Sequence, residues 1–477
     1  MTGRHLPLTL VLFAALMVGG CRGLMGAFHE EVTGSPAPTT VPLPSSTAAS
    51  EAQPAQPSRP APTTVPLPSS TAASEAQPAQ PSRPGPAVTS PPTGVGGLPT
   101  TPAAQGLPTT PAAQVEPTRV IPPADTVSLP PGFGISTFAQ GLRDPRMMAL
   151  GPDGHLYVAE RGAGRIVRLP DRNHDGVADG VEVVAENLDA PSSMAFYQDG
   201  SLYIGETKRV LRLSAPDTAD EGDEYIPYIQ GAFQEREVVV DGLPSGGHAT
   251  RTVLFSPDWS ALFVSIGSSC NVCVEEDPRR ATIMRYNPDG SGGQVYAQGL
   301  RNAAGITFRP GTMELWATNN GRDWLGDDQP PETVYHVQEG DNAGWPYCHS
   351  GRIVDPDYGS PTACEGVVAP AVEMQAHSAP LGLTFYTGTQ FPEEYRGDLF
   401  VAFHGSWNRA APTGYKVVRI PIQDGQAGQA QDFATGWLRV NGSQWGRPVD
   451  VLTGADGSLF VSDDSGGSIY RIFYAGG

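Results

Sequence analysis

The sequence is poor in basic residues and has no apolar run of membrane-spanning length. Lys and Arg number 30 against 50 Asp and Glu, which gives a formal net charge of −20. Nucleic acids are bound through clustered basic side chains, so this balance argues against a nucleic-acid partner. The apolar run at 6–18 is too short for a comfortable membrane span. It follows Arg4 and His5, and it predicts a signal peptide at residues 1–20.

Cysteine is scarce, with five residues in the chain. Cys21 follows small residues in "VGGC", which resembles the lipobox of bacterial lipoproteins. The resemblance implies cleavage before Cys21 and lipid attachment to its thiol, and acyl chains together anchor a protein firmly. We therefore expect an extracytoplasmic protein, periplasmic or at the cell surface, that is lipid-anchored to a bacterial membrane. The alternative is an ordinary signal peptide followed by a chance cysteine.

The other four cysteines form an even set in a chain that we expect to be exported, which predicts two disulfides. Proximity in sequence favours the pairs Cys270–Cys273 and Cys348–Cys364. The alternative for "CNVC" is a redox or zinc site. Zinc would need two further good ligands, and the sequence has no second CxxC.

Residues 21–124 are rich in Pro, Ala, Ser and Thr. The string "APTTVPLPSSTAASEAQPAQPSRP" occurs at 37–60 and again at 61–84. Such repeats carry too little apolar surface to offset the entropy lost on ordering, and they favour extended conformations. We predict a disordered linker that tethers one folded domain at residues 125–477.

A turn followed by a short alternating strand recurs through that domain. Its six copies share a leucine, at positions 156, 202, 262, 315, 399 and 459. A repeat of this length that contains only strands is typical of propeller blades, and no long amphipathic helical pattern competes. The sequence therefore predicts an all-β fold, a six-bladed β-propeller. We expect the last strand, near 467–474, to close the ring with residues near 130.

Several loops next to the repeated strands present polar side chains. They hold His248, Arg301, Asn302, Gly321, Arg322, His404, Arg409 and Arg447. Converging arginines suit an anionic ligand, because guanidinium groups pair with carboxylates. Taken singly, each residue also has an ordinary structural interpretation, such as a surface ion pair. Trp324 and Trp407 similarly fit a role in filling gaps between blades.

Longer strings resemble the pyrroloquinoline-quinone-dependent sugar dehydrogenases, of the glucose and sorbosone dehydrogenase-like group. They are "GLRNAAGITFRPGTMELWATNNG", "GDNAGWPYC", "APLGLTFYTGTQFPEEYRGDLFVAFHGSWNR" and "GRPVDVLTGADGSLFVSDD". The resemblance implies a six-bladed propeller that uses pyrroloquinoline quinone (PQQ), a tricyclic cofactor with three carboxylates, together with calcium. It also implies oxidation of a sugar or polyol and transfer of electrons to an extracytoplasmic acceptor.

The resemblance assigns a role to individual residues. His248 matches the general base, which takes the proton of the sugar hydroxyl. Arg301 and Asn302 match the pair beside the quinone oxygens. The resemblance implies that Arg447 pairs with a cofactor carboxylate.

The implied calcium would be held by the backbone carbonyls of Gly321 and Arg322 and would polarise the quinone. Two positions depart from the family. His404 stands where the sugar-oxidising members carry lysine, and Val449 stands where they carry a second arginine. Arg409 lies in the same loop as His404 and is the residue that could compensate.

Two other functions remain open. A calcium-dependent lactonase would use side chains from several blades, namely Glu160, Glu206, Asn302, Asn319 and Asp463. That function leaves the arginine-rich loops unexplained. A non-catalytic propeller that binds carbohydrate or protein at a surface is the other alternative.

The stretch "DRNHDGVADGVE" at 171–182 matches the spacing of a calcium-binding loop. Its predicted ligands are Asp171, Asn173, Asp175, Val177 through its carbonyl, Asp179 and Glu182. Both flanks are strand-like, so the loop is expected to connect two strands of the first blade. A calcium ion there would stiffen a hairpin and would not act as a sensor, which needs helices that move. The alternative is an empty turn rich in Asp and Asn.

Overall fold

The computed structural model describes residues 126–214, 233 and 235–476. The expected signal peptide at 1–20, Cys21 and the linker at 21–124 lie outside the described residues. Within the described part, no helix has the length and apolar character needed to cross a membrane.

Six four-stranded antiparallel sheets form the domain. Strand β1 (Phe133–Gln140) comes first in sequence and belongs to the last sheet. Blade 1 contains β2 (Pro145–Leu150), β3 (Leu156–Glu160), β4 (Arg165–Leu169) and β5 (Glu182–Ala185). Blade 2 contains β6 (Ser193–Phe196), β7 (Leu202–Gly205), β8 (Val210–Ser214) and β9 (Glu235–Val240). Blade 3 contains β10 (Val253–Phe255), β11 (Leu262–Ile266), β12 (Thr282–Tyr286) and β13 (Gln294–Gln298).

Blade 4 contains β14 (Ile306–Phe308), β15 (Leu315–Asn319), β16 (Glu332–Val337) and, after the hairpin of β17 (Cys348–His349) and β18 (Ile353–Val354), β19 (Val372–Met374). Blade 5 contains β20 (Pro380–Phe385), β21 (Leu399–Phe403), β22 (Lys416–Ile420) and, after the hairpin of β23 (Ile422–Gln423) and β24 (Gln426–Ala427), β25 (Gln431–Ala434). Blade 6 contains β26 (Pro448–Thr453), β27 (Leu459–Asp463) and β28 (Ser468–Tyr474), with β1 outside them. The predicted six-bladed propeller is therefore confirmed.

The repeated leucine is the first residue of the second strand in all six blades, and it is buried each time. The turn before it explains the recurring sequence. In blade 2, Asp199 accepts a hydrogen bond from the backbone N–H of Ser201 at 2.8 Å. Gly200 between them has a φ of 82°, which favours glycine. This turn and the buried strand that follows it together produce the repeat seen in the sequence.

The ring closes as predicted. Strand β1 pairs antiparallel with β28, and Phe133 lies opposite Tyr474. Phe133 also makes edge contacts with the rings of Phe391, Tyr395 and Phe433, at centroid distances of 4.7, 5.1 and 5.2 Å. Such pairs contribute about 0.5–1.5 kcal/mol each beyond area burial, so the first strand is fixed by packing as well as by the ladder.

The inner strands β2, β6, β10, β14, β20 and β26 pack side by side around the axis. Met147, Ala304, Leu381 and Val449 form a buried apolar cluster there. Val449 has no exposed surface. The position where related proteins were expected to carry an arginine is thus part of the packed axis.

Antiparallel strands place two kinds of loop on one face: those that lead into an inner strand, and those between second and third strands. We call this the site face. All eight residues that the sequence singled out for the cofactor, its calcium and the base lie in such loops. The loop at 170–181 connects β4 to β5, as predicted, and therefore emerges on the opposite face.

The long spacing before β21 holds an insertion at 338–371, between β16 and β19. It contains the disulfide Cys348–Cys364. Although it leaves β16 on the opposite face, it reaches the site face, since Trp345 Nε1 donates to the carbonyl of Asn271 at 3.2 Å.

Candidate functional site

His248 has a defined tautomer. Its Nδ1 lies 2.9 Å from the hydroxyl and 3.1 Å from the carbonyl of Ser268. That hydroxyl donates its own proton to the carbonyl of Cys270 at 2.7 Å, so both atoms facing Nδ1 are acceptors. Nδ1 therefore carries the proton, and Nε2 carries a lone pair. No described residue bonds to Nε2, which is thus able to accept a proton.

The imidazole of His248 is uncharged near neutral pH. Burial lowers the pKa of His248 to about 4, and the charge of Arg301 is the second cause. Both effects disfavour the imidazolium form.

Two buried arginines hold the loop that carries His248. Arg251 donates to the carbonyls of His248 at 3.0 Å and Thr250 at 2.8 Å, and Arg280 donates to Gly246 at 3.0 Å. Arg251 is fully buried, and burial lowers its pKa to about 10. Within the described part, neither guanidinium pairs with a carboxylate. Sequence reasoning missed both residues, which place buried positive charge beside the site.

Asn302 lies close to His248 because residue 267 is glycine. A Cβ on Gly267 would stand 2.5 Å from His248 Cβ and 2.8 Å from Asn302 Oδ1. The backbone N–H of Asn302 donates to Asn319 Oδ1 at 3.2 Å. Its own side-chain amide has no partner among the described residues and can meet a ligand.

Arg301 is saturated by the protein. Its Nε donates to the carbonyl of Asn271 at 2.9 Å, and Nη1 donates to the carbonyls of Asn320 at 3.3 Å and Gly321 at 2.6 Å. Nη2 donates to Asn271 Oδ1 at 3.0 Å and Asp323 Oδ2 at 2.9 Å. All five N–H groups are used. A ligand contact by Arg301 therefore requires the exchange of one of these bonds, whereas the Gly321 carbonyl keeps a second lone pair.

The disulfide Cys270–Cys273 is present, as predicted, so its sulfurs offer no thiolates to zinc. It encloses Asn271, whose Oδ1 accepts from the backbone N–H of Asp323 at 2.7 Å. Asn271 Nδ2 returns a bond to the carbonyl of Asp323 at 3.1 Å. The short disulfide loop therefore positions Arg301 and the 320–323 loop.

The side chain of Arg322 points toward the insertion. It pairs with Asp355 at 2.5 Å and Asp357 at 3.0 Å. His349 Nε2 lies 2.8 Å from the same Asp355 carboxylate. Arg322 thus fixes the insertion and leaves only its backbone to meet a ligand.

His404 is also engaged. Its Nε2 lies 2.9 Å from Asp464, which pairs with Arg146 at 2.7 Å. Burial lowers the pKa of His404. Arg447 donates from Nε to the carbonyl of His404 and from Nη2 to that of Gly405, both at 3.1 Å. Its Nη1 has no partner in the described part of the chain and is available to an anion.

Arg409 crosses to the neighbouring blade. It donates to the carbonyls of Asp327 and Ala376 and to the carboxylate of Asp328 at 3.3 Å. The residue expected to compensate at the cofactor instead ties two loops together.

The side chains proposed for a lactonase metal form a repeated contact. Glu160, Asn319 and Asp463 each end a second strand, and Glu206 directly follows one. Each of the four side chains accepts a hydrogen bond from a backbone N–H that precedes the inner strand of the same blade. The donors are Arg143 at 2.7 Å, Asp189 at 2.7 Å, Asn302 at 3.2 Å and Arg447 at 2.8 Å. We call these four contacts the blade clasps. Each acceptor lies four residues after the repeated leucine. The leucine repeat could therefore have located all four acceptors in the sequence.

The loop at 171–182 satisfies its carboxylates internally. Asp171 accepts the N–H groups of Asp175 at 3.1 Å and Gly176 at 3.0 Å. Glu182 pairs with Arg168 at 2.9 Å and Arg172 at 2.5 Å. Among the described residues, the one group of three Cys, His or acidic side chains close enough for a shared ion is Cys270, Cys273 and Glu275, and two of these are disulfide-bonded. The acidic side chains predicted as ligands in this loop thus do not meet at one point.

A cleft of about 220 Å³ opens on the opposite face. Its floor includes Phe138, Leu156 and Phe460, and Asp171 and His174 lie at its edge. None of the residues around His248 lines it, so we do not assign the chemistry to this cleft.

Comparisons with known proteins agree with the fold. The model of the TrAA12-like family matches residues 127–352 and 353–475. A calcium structure of the Trichoderma reesei Carbohydrate-Active Enzymes Family AA12 superposes with a TM-score of 0.62 and 22% identity, over 74% of this chain and 98% of that one. The holo form of the pyranose dehydrogenase PQQ domain from Coprinopsis cinerea gives a TM-score of 0.61 and 24% identity, over 73% and 97%.

Two curated proteins are also similar. A pyrroloquinoline quinone-dependent pyranose dehydrogenase from Coprinopsis cinerea is 28% identical over 407 residues, covering 72% of this chain and 54% of that protein. An uncharacterized protein from Borreliella burgdorferi is 36% identical over 232 residues, covering 48% and 61%. This chain therefore spans less than two thirds of the length of either relative. The expected resemblance to quinone-dependent sugar dehydrogenases is confirmed as a similarity of sequence and fold. The chain belongs to the TrAA12-like family.

Proposed function

We propose that this protein oxidises a sugar or polyol and uses PQQ as the electron acceptor. The observation that carries the proposal is His248, an uncharged imidazole with a free Nε2 lone pair. It lies beside two buried arginines, Arg251 and Arg280, that have no carboxylate partner within the described residues. The Coprinopsis cinerea relative is described as a PQQ-dependent pyranose dehydrogenase, which supports the same substrate class.

The residues present fit a tricarboxylate cofactor. Arg251 and Arg280 place buried positive charge beside His248, and such charge favours an anionic ligand. Arg447 Nη1 and the Asn302 amide are unpaired donors, within the described residues, that would hold oxygens of PQQ. When bound, PQQ supplies the two-electron acceptor for the hydride that leaves the substrate carbon.

His248 serves as the general base. Its Nε2 takes the proton from the substrate hydroxyl as the C–O bond becomes a carbonyl. The Nδ1–H bond to Ser268 then stabilises the resulting imidazolium and keeps the ring oriented. Arg301 contributes charge near the reacting atoms, and it also keeps the base deprotonated before substrate arrives.

Calcium belongs to the proposal at two places. One ion would bind the carbonyls of Gly321 and Arg322, using the lone pair of Gly321 that Arg301 Nη1 leaves free. A second would occupy the loop at 171–182 on the opposite face, after Glu182 leaves Arg172, and would stiffen that hairpin.

Lipid anchoring through Cys21, an extracytoplasmic location and an extracytoplasmic electron acceptor complete the proposal. The two disulfides support an oxidising compartment.

The test is a titration of the purified protein with PQQ in the presence of calcium, followed by reduction of a dye with aldoses, alcohols and polyols. We expect the PQQ absorbance to change and at least one sugar or polyol to reduce the dye. His248→Ala should abolish turnover while the absorbance change persists. His174→Ala, which removes an exposed histidine from the opposite face, is the matched control and should retain turnover. Unchanged PQQ absorbance at saturating cofactor would overturn the proposal.

One observation favours the alternative of a non-catalytic binding propeller. Arg301, His404 and Arg409, three of the residues implied for the cofactor, are all paired within the protein. If PQQ fails to bind, this alternative becomes the assignment of the site face. The lactonase alternative has no such support, because its proposed ligands form the blade clasps.

A further inference from the structure

Trp324 and Trp407 form an exposed aromatic pair on the site face. Their side chains are 65% and 66% exposed. The ring centroids are 5.2 Å apart, and the planes cross at 86°. The expectation that these residues fill gaps between blades is therefore wrong. Two large apolar side chains kept together in solvent usually mark a binding surface.

The pair is held in place at a conformational cost. Trp324 has a φ of 73°, a left-handed conformation that is rare for a bulky side chain. The loops on either side are bonded to each other: Asn408 Nδ2 donates to Asp323 Oδ1 at 2.8 Å, and the N–H of Ala410 donates to Asp327 at 3.1 Å. The two rings therefore form a preorganised surface rather than two independent side chains.

The pair stands at the rim of the proposed site. Trp324 follows Asp323 in sequence, and Asp323 bonds to Arg301 at 2.9 Å. Trp407 precedes Asn408, which bonds to the same Asp323. A molecule that rests on the two rings can thus extend toward His248 without leaving the site face.

We propose that Trp324 and Trp407 form a corner-shaped subsite for a pyranose ring of an uncharged oligosaccharide. Because the two planes cross at 86°, one indole stacks on the face of the sugar and the other contacts its edge. Equatorial pyranoses present a flat face of C–H bonds, with a partial positive charge that suits the negative face of an aromatic ring. Asp328, whose side chain is 88% exposed, lies in the same loop as Trp324 and can accept hydroxyl protons. Arg409 partly offsets the charge of Asp328, so the surface beside the two rings offers hydrogen-bonding groups without a strong charge of either sign. A reaction at the far end of the bound oligosaccharide rests on the proposed function, whereas binding of the oligosaccharide to the two tryptophans does not.

The test is the binding of cellopentaose and of glucose to the full protein without PQQ, measured by tryptophan fluorescence and by calorimetry. We expect cellopentaose to bind more tightly than glucose. Trp324→Ala and Trp407→Ala should each weaken cellopentaose binding about tenfold, the size expected for one ring stack, whereas Phe at either position should restore most of the affinity. Trp259→Ala is the matched control: Trp259 also has a positive φ, 62°, but lies on the opposite face and should leave binding unchanged.

The outcomes separate the two proposals. Absence of cellopentaose binding, or binding that neither tryptophan variant weakens, would overturn the subsite. Tryptophan-dependent binding supports the subsite even where PQQ does not bind, and in that case only the dehydrogenase fails. Where both hold, the ratio of kcat/KM for cellopentaose to that for glucose should fall in the two alanine variants. Thermal unfolding of each variant excludes misfolding as the cause.

Discussion

At the scale of single residues, burial and then the charge of Arg301 lower the pKa of His248, while Ser268 fixes its tautomer. Ser268 presents two acceptors to Nδ1, and Arg301 adds a positive charge nearby. With a pKa lowered to about 4, the imidazole stays mostly uncharged in mildly acidic surroundings.

The first prediction concerns that ionisation. In the cofactor-free protein, the His248 imidazole should titrate with a midpoint near 4 when followed by NMR, with His248→Ala used for assignment. Arg301→Gln should raise the midpoint, because a removed positive charge no longer opposes the imidazolium. Arg309→Gln, which alters an arginine on the opposite face, is the control. A midpoint near the ordinary value of 6.5 in the wild type would contradict the prediction.

The second prediction concerns Asp450, which is buried and accepts the backbone N–H of Met148 at 2.8 Å. Burial raises the pKa of Asp450 from 3.8 to about 7. The folded state therefore binds more protons than the unfolded state between these values, and stability is lost as pH rises through about 7.

Asp450→Asn keeps an acceptor for Met148 but removes the titration. We expect the variant to melt several degrees above the wild type in mildly alkaline buffer and close to it in acid. Asp424→Asn makes the same change of charge at an exposed turn and should not alter the slope of melting temperature against pH. An equal effect of both substitutions would show that burial of Asp450 is not the cause.

At the scale of elements, the two disulfides have different tasks. Cys348 and Cys364 are 16 residues apart, whereas Cys270 and Cys273 are only three apart. Loop-closure entropy gives the longer link about 3 kcal/mol of stabilisation and the shorter about 2 kcal/mol. The shorter link, however, encloses Asn271 and so positions Arg301.

The third prediction follows from that contrast. Replacing Cys348 and Cys364 with serine should lower the melting temperature more than replacing Cys270 and Cys273. The second pair of substitutions should in turn weaken PQQ binding more than the first, because Arg301 loses its fixed partner. Calorimetry and the PQQ titration measure the two effects, and a reversed order in either would contradict this division.

The sequence revealed elements better than contacts. A period of leucines located the second strand of every blade, and the strand-like flanks of 171–182 placed that loop between β4 and β5. These features depend on local turn chemistry and burial, which a single sequence records. The saturation of Arg301 and the exposure of Trp324 depend on loops from other blades, so no local pattern announces them. Resemblance placed all eight residues on one face. It did not indicate which of their hydrogen-bond donors are already bonded to other parts of the protein.

At the scale of the whole molecule, closure joins the two ends of the domain. The fourth prediction is that a chain beginning at Thr126 folds like the full protein, whereas a chain beginning at Gly141 does not. Without β1, the strand β28 has an unpaired edge and Phe133 no longer fills its aromatic cluster. Circular dichroism and thermal unfolding distinguish the two chains. A synthetic peptide of residues 126–140 should restore the fold in trans, and an unaltered melting transition in the shorter chain would contradict the prediction.

The blade clasps have a consequence for how such a ring can change its ligand. Each clasp holds a residue by its backbone N–H and leaves the side chain of Arg143, Asp189, Asn302 or Arg447 exposed or half-buried on the site face. In each of these residues, the backbone N–H therefore anchors the loop, and the side chain is the part that can contact a ligand. Substitution at these four positions can alter what the face recognises while the bond that shapes the loop persists. These four positions can therefore be substituted, in evolution or by design, while the backbone hydrogen bonds that fix the loops are kept.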